Sequence, residues 1–281
     1  QVLIAATAQF PTFVTLSMFS LGIAQQVASV LLFVALFVHL SLGRVRAVTL
    51  VGASVFLSVG VACAGRTAHA GRRSSLVQSL PSLVILAFTL HALSPVVRTL
   101  SEATTNDSVW ACATILFILH LAFADYAMRA SSRPLLTSTV SLNLAMCASV
   151  VLSSRLAHDV DVFALLLVAL QQFAIFPLLR ERVYVAWGNI ALEHRAAVAE
   201  SQHVPMAALP LTVVLVTASV YAMLPLSGLV ALVLVPGSVI FVCVLCPLWM
   251  RRAQRWKREM RGPWDEAVLH AKPADALLEN E

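Results

Sequence analysis

Long apolar runs, each close to the length of a membrane-crossing helix, constrain this chain more than any other feature. Short segments between the runs hold most of the charged residues. A helix needs about 20 apolar residues to cross a bilayer. Hydrophobic residues make up 59% of the sequence and charged residues 12%, against about 45–50% and about 25% in soluble domains. Since a soluble core cannot hide that excess, the sequence predicts an all-α polytopic integral membrane protein.

The runs divide into eight candidate transmembrane helices, which we expect to form one domain over residues 1–250. Their expected bounds are 13–42, 47–64, 80–97, 109–127, 135–153, 160–179, 206–224 and 227–250. The last two are separated only by "LPLSG", in which Pro225 and Gly228 favour a tight hairpin. Residues 251–281 are expected to form a basic tail, and an even number of crossings leaves both chain ends on one side.

Positive charge indicates which side that is, because short cytoplasmic loops carry an excess of Lys and Arg. If the C-terminus is cytoplasmic, that side holds all but four of the 19 Lys and Arg residues. The four on the opposite side are Arg44, Arg46, Arg98 and Arg155. We therefore expect both termini in the cytoplasm, and the net charge of +5 needs no nucleic-acid partner to explain it.

A polar segment, "RTLSEATTNDS" (98–108), is expected to be the short non-cytoplasmic turn between the third and fourth spans. Arg98 and Glu102 are four residues apart, a spacing that allows an ion pair on a last helical turn. We expect such a pair to lie at the lipid interface.

The fourth predicted span brings His120 and Asp125 into an apolar helix, where ionisable side chains are costly and are candidates for function. Arg129 lies four residues after Asp125, which fits an ion pair that reaches the interface. The alternative is that Asp125, Tyr126 and Arg129 contact a lipid headgroup or a partner subunit.

The fifth predicted span has a small residue at every fourth position: Thr137, Ser141, Ala145, Ser149 and Ser153. Inside lipid, helices associate through close packing and interhelical hydrogen bonds, and small residues let their backbones approach. We expect this small-residue stripe to be a packing face. Asn143 lies off the stripe and needs its own partner, for which another subunit is one candidate.

Two amide pairs, Gln25-Gln26 and Gln171-Gln172, lie in the middle of the first and sixth predicted spans. A buried amide without a partner costs about 1–3 kcal/mol. We therefore expect each pair to be hydrogen-bonded to another helix.

No recognisable catalytic motif is found in the sequence. "CVLC" (243–246) has a Cys-x-x-Cys spacing but no second Cys or His pair near it, which argues against zinc. A phosphate-binding glycine loop, a His-Glu-x-x-His helix and a nucleophile elbow are absent from the sequence. We expect this chain to bind no metal or cofactor and to have no catalytic residues of its own.

The C-terminal tail, "PLWMRRAQRWKREMRGPWDEA", is expected to continue the last span as an amphipathic helix in the membrane interface. Trp249 and Trp256 recur at helical spacing, while Arg251 and Arg252 occupy other faces and favour anionic lipid. After the Gly-Pro stop, Trp264, Asp265 and Glu266 suggest a contact with a protein surface.

Several stretches, in order along most of the chain, make it resemble a known family. They are "QQVASVLLFV", "LSPVVRTLSEA", "HLAFADYA", "STVSLNLAMCASVVLSSRL", "QFAIFPLL" and "CPLWM" followed by "RGPWDEA". The family is the C subunit of the phosphatidylinositol N-acetylglucosaminyltransferase complex, which starts glycosylphosphatidylinositol (GPI) anchor synthesis. The resemblance implies an endoplasmic-reticulum membrane protein that works beside a separate catalytic glycosyltransferase subunit, other membrane subunits and phosphatidylinositol.

Three functions are compatible with these residues. The first is a non-catalytic scaffold that holds the glycosyltransferase, which uses UDP-N-acetylglucosamine, against its lipid substrate. The alternative is a multi-pass small-solute transporter, although paired helix breaks in two matching halves are not evident. The third is a lipid-modifying enzyme in which His120 and Asp125 act as acid and base.

Overall fold

The structure of the protein is a computed structural model. It describes residues 13–67, 75–99, 104–124, 126, 136–177, 179–180, 183, 208–254 and 256, with side-chain surroundings outside 59–67, 75–84 and 136–138. Within these ranges every regular element is a helix and none is a strand. The prediction of an all-α protein is confirmed for this part of the chain.

Nine α-helices cover most of the described residues. They are α1 (Phe13–Ser41), α2 (Ala47–Thr67), α3 (Ser75–Thr99), α4 (Asn106–Phe123), α5 (Leu136–Ser153), α6 (Asp159–Ala169), α7 (Ala208–Met223), α8 (Gly228–Ile240) and α9 (Cys246–Gln254). Two wider, π-helical turns interrupt this pattern: one over Leu170–Ile175 extends α6, and one over Phe241–Leu245 joins α8 to α9.

The helices overlap the eight apolar runs, and three continuous helical stretches are long and apolar enough to cross a membrane. Among the described residues these are Phe13–Ser41, Asn106–Phe123 and Gly228–Gln254. Shorter apolar helical stretches occur at Ala47–Ser58, Ile85–Thr99, Thr139–Ser153 and Ala208–Met223. These lengths fit a membrane protein, whereas the number of crossings stays a prediction.

The bounds of α4 differ from the expected 109–127. The helix begins at Asn106 because Thr105 is its N-cap, and the Thr105 hydroxyl oxygen accepts a hydrogen bond from the Ser108 N–H at 3.4 Å. It ends at Phe123, since Ala124 is already extended at φ −66°, ψ 139°. The expectation that the helix runs on through Asp125 to residue 127 was therefore wrong.

Helix α1 is the centre of the bundle and packs against α4, α6, α7 and the continuous stretch Gly228–Gln254, which comprises α8, the second π-helical turn and α9. On one side the fully buried Phe33 meets the edges of Phe117 and Phe173, with ring centroids 5.9 and 5.4 Å away. On another side Ala35 packs in a smaller apolar cluster with Ala231 and Val235 of α8. The first side holds most of the buried core.

Arginine side chains join the connections between helices in two pairs at one end of the bundle. Arg44 donates to the Pro225 carbonyl at 2.6 Å, and Arg98 donates to the Ala157 carbonyl at 3.2 Å. Arg155 likewise donates to the carbonyl of Thr104. The segments after α1 and α7 are thus adjacent, as are those after α3 and α5. Phe37, near the end of α1, contacts Trp110, near the start of α4, with ring centroids 5.5 Å apart, which places both pairs at the same end.

Candidate functional site

His120 lies at the centre of a buried polar cluster that joins three helices. Its Nε2 is 2.7 Å from Nε2 of Gln26 on α1. Its Nδ1 is 2.8 Å from both the carbonyl and the hydroxyl oxygen of Ser141 on α5. The ring also packs edge-on against Phe173, with centroids 5.3 Å apart, and only 2% of the residue is exposed.

The partners of His120 fix its tautomer. The Gln26 amide NH₂ is a donor, so Nε2 of His120 accepts and the ring proton lies on Nδ1. That proton is donated to the Ser141 carbonyl, while the Ser141 hydroxyl donates to the His120 carbonyl at 2.9 Å. Both ring nitrogens are therefore engaged by other helices, and neither is left to take a proton from a substrate.

Gln25, next to Gln26 in sequence, joins α1 to α7. Its fully buried Nε2 donates to the Ala208 carbonyl at 3.0 Å and to the Thr212 hydroxyl oxygen at 2.8 Å. Ser219 strengthens the same contact by donating to the Ala28 carbonyl at 2.8 Å. The expected interhelical bonding of the first amide pair is confirmed, with its two members directed to different helices.

The second amide pair lies in the π-helical turn that follows α6. Gln172 Nε2 donates to the Ser29 carbonyl of α1 at 2.6 Å. Gln171 Nε2 donates to the Ser54 carbonyl and the Ser58 hydroxyl oxygen, both on α2. Interhelical bonding is again confirmed, whereas the π-helical turn was not anticipated. Such turns occur often at functional sites, and the sequence carries no signal for this one, since Gln25-Gln26 lie in a regular α-helix.

The small-residue stripe of α5 is a packing face, as predicted. Its described members Ser141, Ala145, Ser149 and Ser153 are all buried, and α5 packs most extensively on α4 and next on α6. The Thr137 side chain lies outside the described part. Asn143, by contrast, is exposed on the other side of α5.

Arg98 pairs with the start of α6. Its Nε lies 3.2 Å from Oδ1 of Asp159, in addition to its bond with the Ala157 carbonyl. Glu102 lies outside the described residues, so the predicted Arg98–Glu102 pair stays a prediction. Sequence spacing could not identify Asp159, which is far from Arg98 along the chain and meets it only because α3 and α6 pack together.

Of the predicted Asp125–Tyr126–Arg129 group, the structure describes Tyr126, and the other two lie outside its ranges. The Tyr126 hydroxyl donates to the Leu121 carbonyl at 2.7 Å, beyond the end of α4. Its ring lies beside Gly22 of α1, where a Cβ would be 3.9 Å from the Tyr126 Cδ1. Arg180 donates to the Gly22 carbonyl at 3.4 Å. The segment that follows α6 and its π-helical turn therefore contacts the same point on α1.

A cleft of about 650 Å³ lies at the opposite end of α1, between α1 and α7. His39 lines it together with apolar residues and Tyr221. The ring Nε2 of His39 is 2.6 Å from the Ala222 carbonyl, so it carries the proton and donates. This bond is a further hydrogen bond between α1 and α7, in addition to those of Gln25 and Ser219.

The described tail residues are exposed, except for the half-buried Gln254. Arg251 and Arg252 project from α9, and Trp249 and Trp256 are about four-fifths exposed, at 80% and 81%. Trp264, Asp265 and Glu266 lie outside the described residues, so their protein contact stays a prediction. In the described ranges, no group of three or more His, Cys, Asp or Glu side chains could hold a metal ion.

Comparison with known proteins gives consistent matches along the chain. The family model described as "GPI2: Phosphatidylinositol N-acetylglucosaminyltransferase" matches residues 5–265. A protein of Dictyostelium discoideum is 32% identical over 258 residues, which are 92% of this chain and 70% of the relative.

Two further relatives are named as subunits of the same transferase. The phosphatidylinositol N-acetylglucosaminyltransferase GPI2 subunit of Schizosaccharomyces pombe is 30% identical over 91% of this chain and 75% of its own length. The C subunit of the Homo sapiens phosphatidylinositol N-acetylglucosaminyltransferase is 30% identical over 88% of this chain and 78% of its own. No solved structure matches. Because the family model and these relatives cover nearly the whole chain, it belongs to the GPI2 family of phosphatidylinositol N-acetylglucosaminyltransferase.

Proposed function

We propose that this chain is a non-catalytic scaffold subunit of the transferase that moves N-acetylglucosamine from UDP-N-acetylglucosamine to phosphatidylinositol. It acts in the endoplasmic-reticulum membrane, at the first step of GPI-anchor synthesis. A separate glycosyltransferase subunit supplies the catalytic residues, and this chain holds it and other membrane subunits near phosphatidylinositol. Positioning of this kind lowers a barrier by making the encounter intramolecular.

The state of His120 is the observation that supports a scaffold most directly. A general acid or base needs a ring nitrogen within reach of the substrate proton. In His120 the Gln26 amide and Ser141 occupy both nitrogens, inside a core closed by Phe173. The third hypothesis, an acid–base enzyme built on His120 and Asp125, is therefore poorly supported.

The hydrogen bonds of the polar side chains inside the bundle argue for a packed scaffold over a transporter. A solute path needs polar groups that face an open channel. Instead Gln25, Gln171 and Gln172 each donate to a neighbouring helix. Polar groups satisfied in this way stabilise one arrangement of helices.

Eight crossings with both termini in the cytoplasm are part of the proposal. The contacts of Arg44, Arg98 and Arg155 support it, since they join the four connections expected on the lumenal side in two pairs. An epitope fused after Glu281 is then expected to be digested by protease added outside intact microsomes. Protection of that epitope would contradict the topology.

The scaffold role is tested by exchanging His120 in the assembled complex. His120→Gln is purified with its partner subunits, with Ser141→Ala as the control that perturbs the same cluster without removing a titratable group. Transfer of N-acetylglucosamine from UDP-N-acetylglucosamine to phosphatidylinositol is measured per assembled complex. We expect both variants to stay within about twofold of the unmodified chain, with any larger loss explained by a lower yield of complex.

Catalysis by His120 predicts a different result. Removal of a general acid or base typically lowers the rate about 10²–10⁴-fold. A loss of that size in fully assembled His120→Gln complex, with Ser141→Ala active, would overturn the scaffold proposal. So would consumption of UDP-N-acetylglucosamine by the purified chain alone.

A further inference from the structure

Asn143 presents an amide on the outer face of α5, in a segment otherwise suited to lipid. The residue is exposed, and its side chain makes no hydrogen bond to the described part of the chain. It lies seven residues from Leu136, the nearer end of the helix, which is about 10 Å at 1.5 Å per residue. A side chain as short as Asn cannot reach the interface from that depth.

An unpaired amide in hydrocarbon is unfavourable, so polar residues within membrane helices normally face a partner. The Asn143 amide has two donors and an acceptor with two lone pairs. It therefore matches a helix that brings a hydroxyl, an amide or a free carbonyl to the same depth. Lipid chains offer none of these groups.

The surface around Asn143 allows another helix to approach closely. Thr139 and Cys147 are four residues before and after it, and both are exposed. Compact side chains at this spacing let two helix backbones come together in a membrane. This outer face is distinct from the stripe of Ser141, Ala145 and Ser149, which α4 and α6 already cover.

We infer that the face formed by Thr139, Asn143 and Cys147 binds a transmembrane helix of a different subunit, through an interhelical hydrogen bond to the Asn143 amide. The inference rests on the proposed function, since it needs a complex with other membrane subunits. The partner helix carries a polar side chain among small residues at the depth of Asn143. Relatives of this chain are named as subunits of one transferase, which favours a different subunit over a second copy.

The first test separates a role in binding from a role in folding by comparing two measurements: the unfolding temperature of the isolated chain and the amount of partner subunit that it recovers. Asn143→Leu removes an amide that the described part of the chain leaves unpaired on the outer face of α5, so the isolated chain should unfold in detergent at the same temperature or higher. The same variant should recover about three- to tenfold less of the partner subunit at limiting expression, as expected for one interhelical hydrogen bond. A merely structural role for Asn143 would instead lower the unfolding temperature of the isolated chain.

Thr217→Val on α7 is the matched control. Thr217 is also exposed on an apolar helix, but its hydroxyl donates to the Val213 carbonyl of its own helix at 2.8 Å. Its replacement should leave both stability and assembly unchanged. Equal losses of partner in Asn143→Leu and Thr217→Val would overturn the inference.

The second test identifies what covers the face. A photoreactive benzophenone amino acid in place of Cys147 should crosslink to a membrane subunit of the purified complex, whereas the same probe in place of the exposed Val213 should label mainly lipid. Adducts to lipid alone, to a second copy or within the chain would each overturn the inference. If partners co-purify normally while position 147 labels only lipid, the scaffold proposal stands and this inference fails. If no partner co-purifies with the unmodified chain, the scaffold proposal itself fails.

Discussion

The two sides of α1 differ in how they are built. Towards α4 and α6 it meets a dense aromatic core around the fully buried Phe33. Towards α7 and α8 it meets small apolar side chains and a few hydrogen bonds, and the Gly228–Gln254 arm is only 11% buried. The first side therefore holds most of the buried apolar side chains, although α7 is the helix that α1 contacts most extensively. The second leaves most of its surface for lipid or other proteins.

Similar buried amides are therefore expected to contribute differently to stability on the two sides of α1. Gln26 and Gln25 are neighbours in sequence, but Gln26 satisfies a ring nitrogen that has no alternative donor in the described cluster. Gln25 bonds to Thr212, whose hydroxyl already donates to the Ala208 carbonyl at 2.7 Å. Loss of Gln25 thus leaves the Thr212 hydroxyl and the Ala208 carbonyl bonded to each other.

Truncating the aromatic core should have the largest effect. Phe33→Ala is expected to lower the free energy of unfolding by about 3 kcal/mol, the low end for a buried Phe because helices in lipid lose packing contacts only. Thermal unfolding of the purified chain in detergent measures it. Leu232→Ala on the exposed face of α8 is the control and should change stability by less than about 0.5 kcal/mol. Equal effects at the two positions would show that the sides do not differ.

Removing the Gln26 amide should have the next largest effect. Gln26→Leu leaves Nε2 of His120 buried without a donor, which we expect to cost about 2 kcal/mol in the same unfolding assay. The double variant Gln26→Leu, His120→Leu should recover part of that loss, since it removes the orphaned nitrogen. A double variant less stable than the single one would contradict this account of the cluster.

Gln25→Leu is the matched change on the α7 side and should have the smallest effect. Because Thr212 and Ala208 stay bonded to each other, we expect a cost of about 0.6 kcal/mol, typical of one hydrogen bond between membrane helices. A cost as large as that of Gln26→Leu would remove the distinction between the two sides.

The sequence predicted the helices well because apolar length is a local property. It also predicted the buried stripe of α5, since a four-residue repeat of small side chains has few other uses in lipid. It could not predict partners that only the fold brings together, such as Asp159 for Arg98 or Thr212 for Gln25. The end of α4 at Phe123 was missed because an apolar run continues past the residue at which the backbone becomes extended.

The π-helical turn at Leu170–Ile175 determines which way the side chains point in the described helical residues after it, as far as Arg180. Each residue in an α-helix advances the next by about 100°, so the extra residue accommodated in the wider turn rotates the downstream segment by about that angle. This rotation accompanies the divergence of Gln171 towards α2 and Gln172 towards α1, and it precedes the contact of Arg180 with Gly22. Deleting one residue there would keep the segment helical and apolar while turning its arginine away from the central helix.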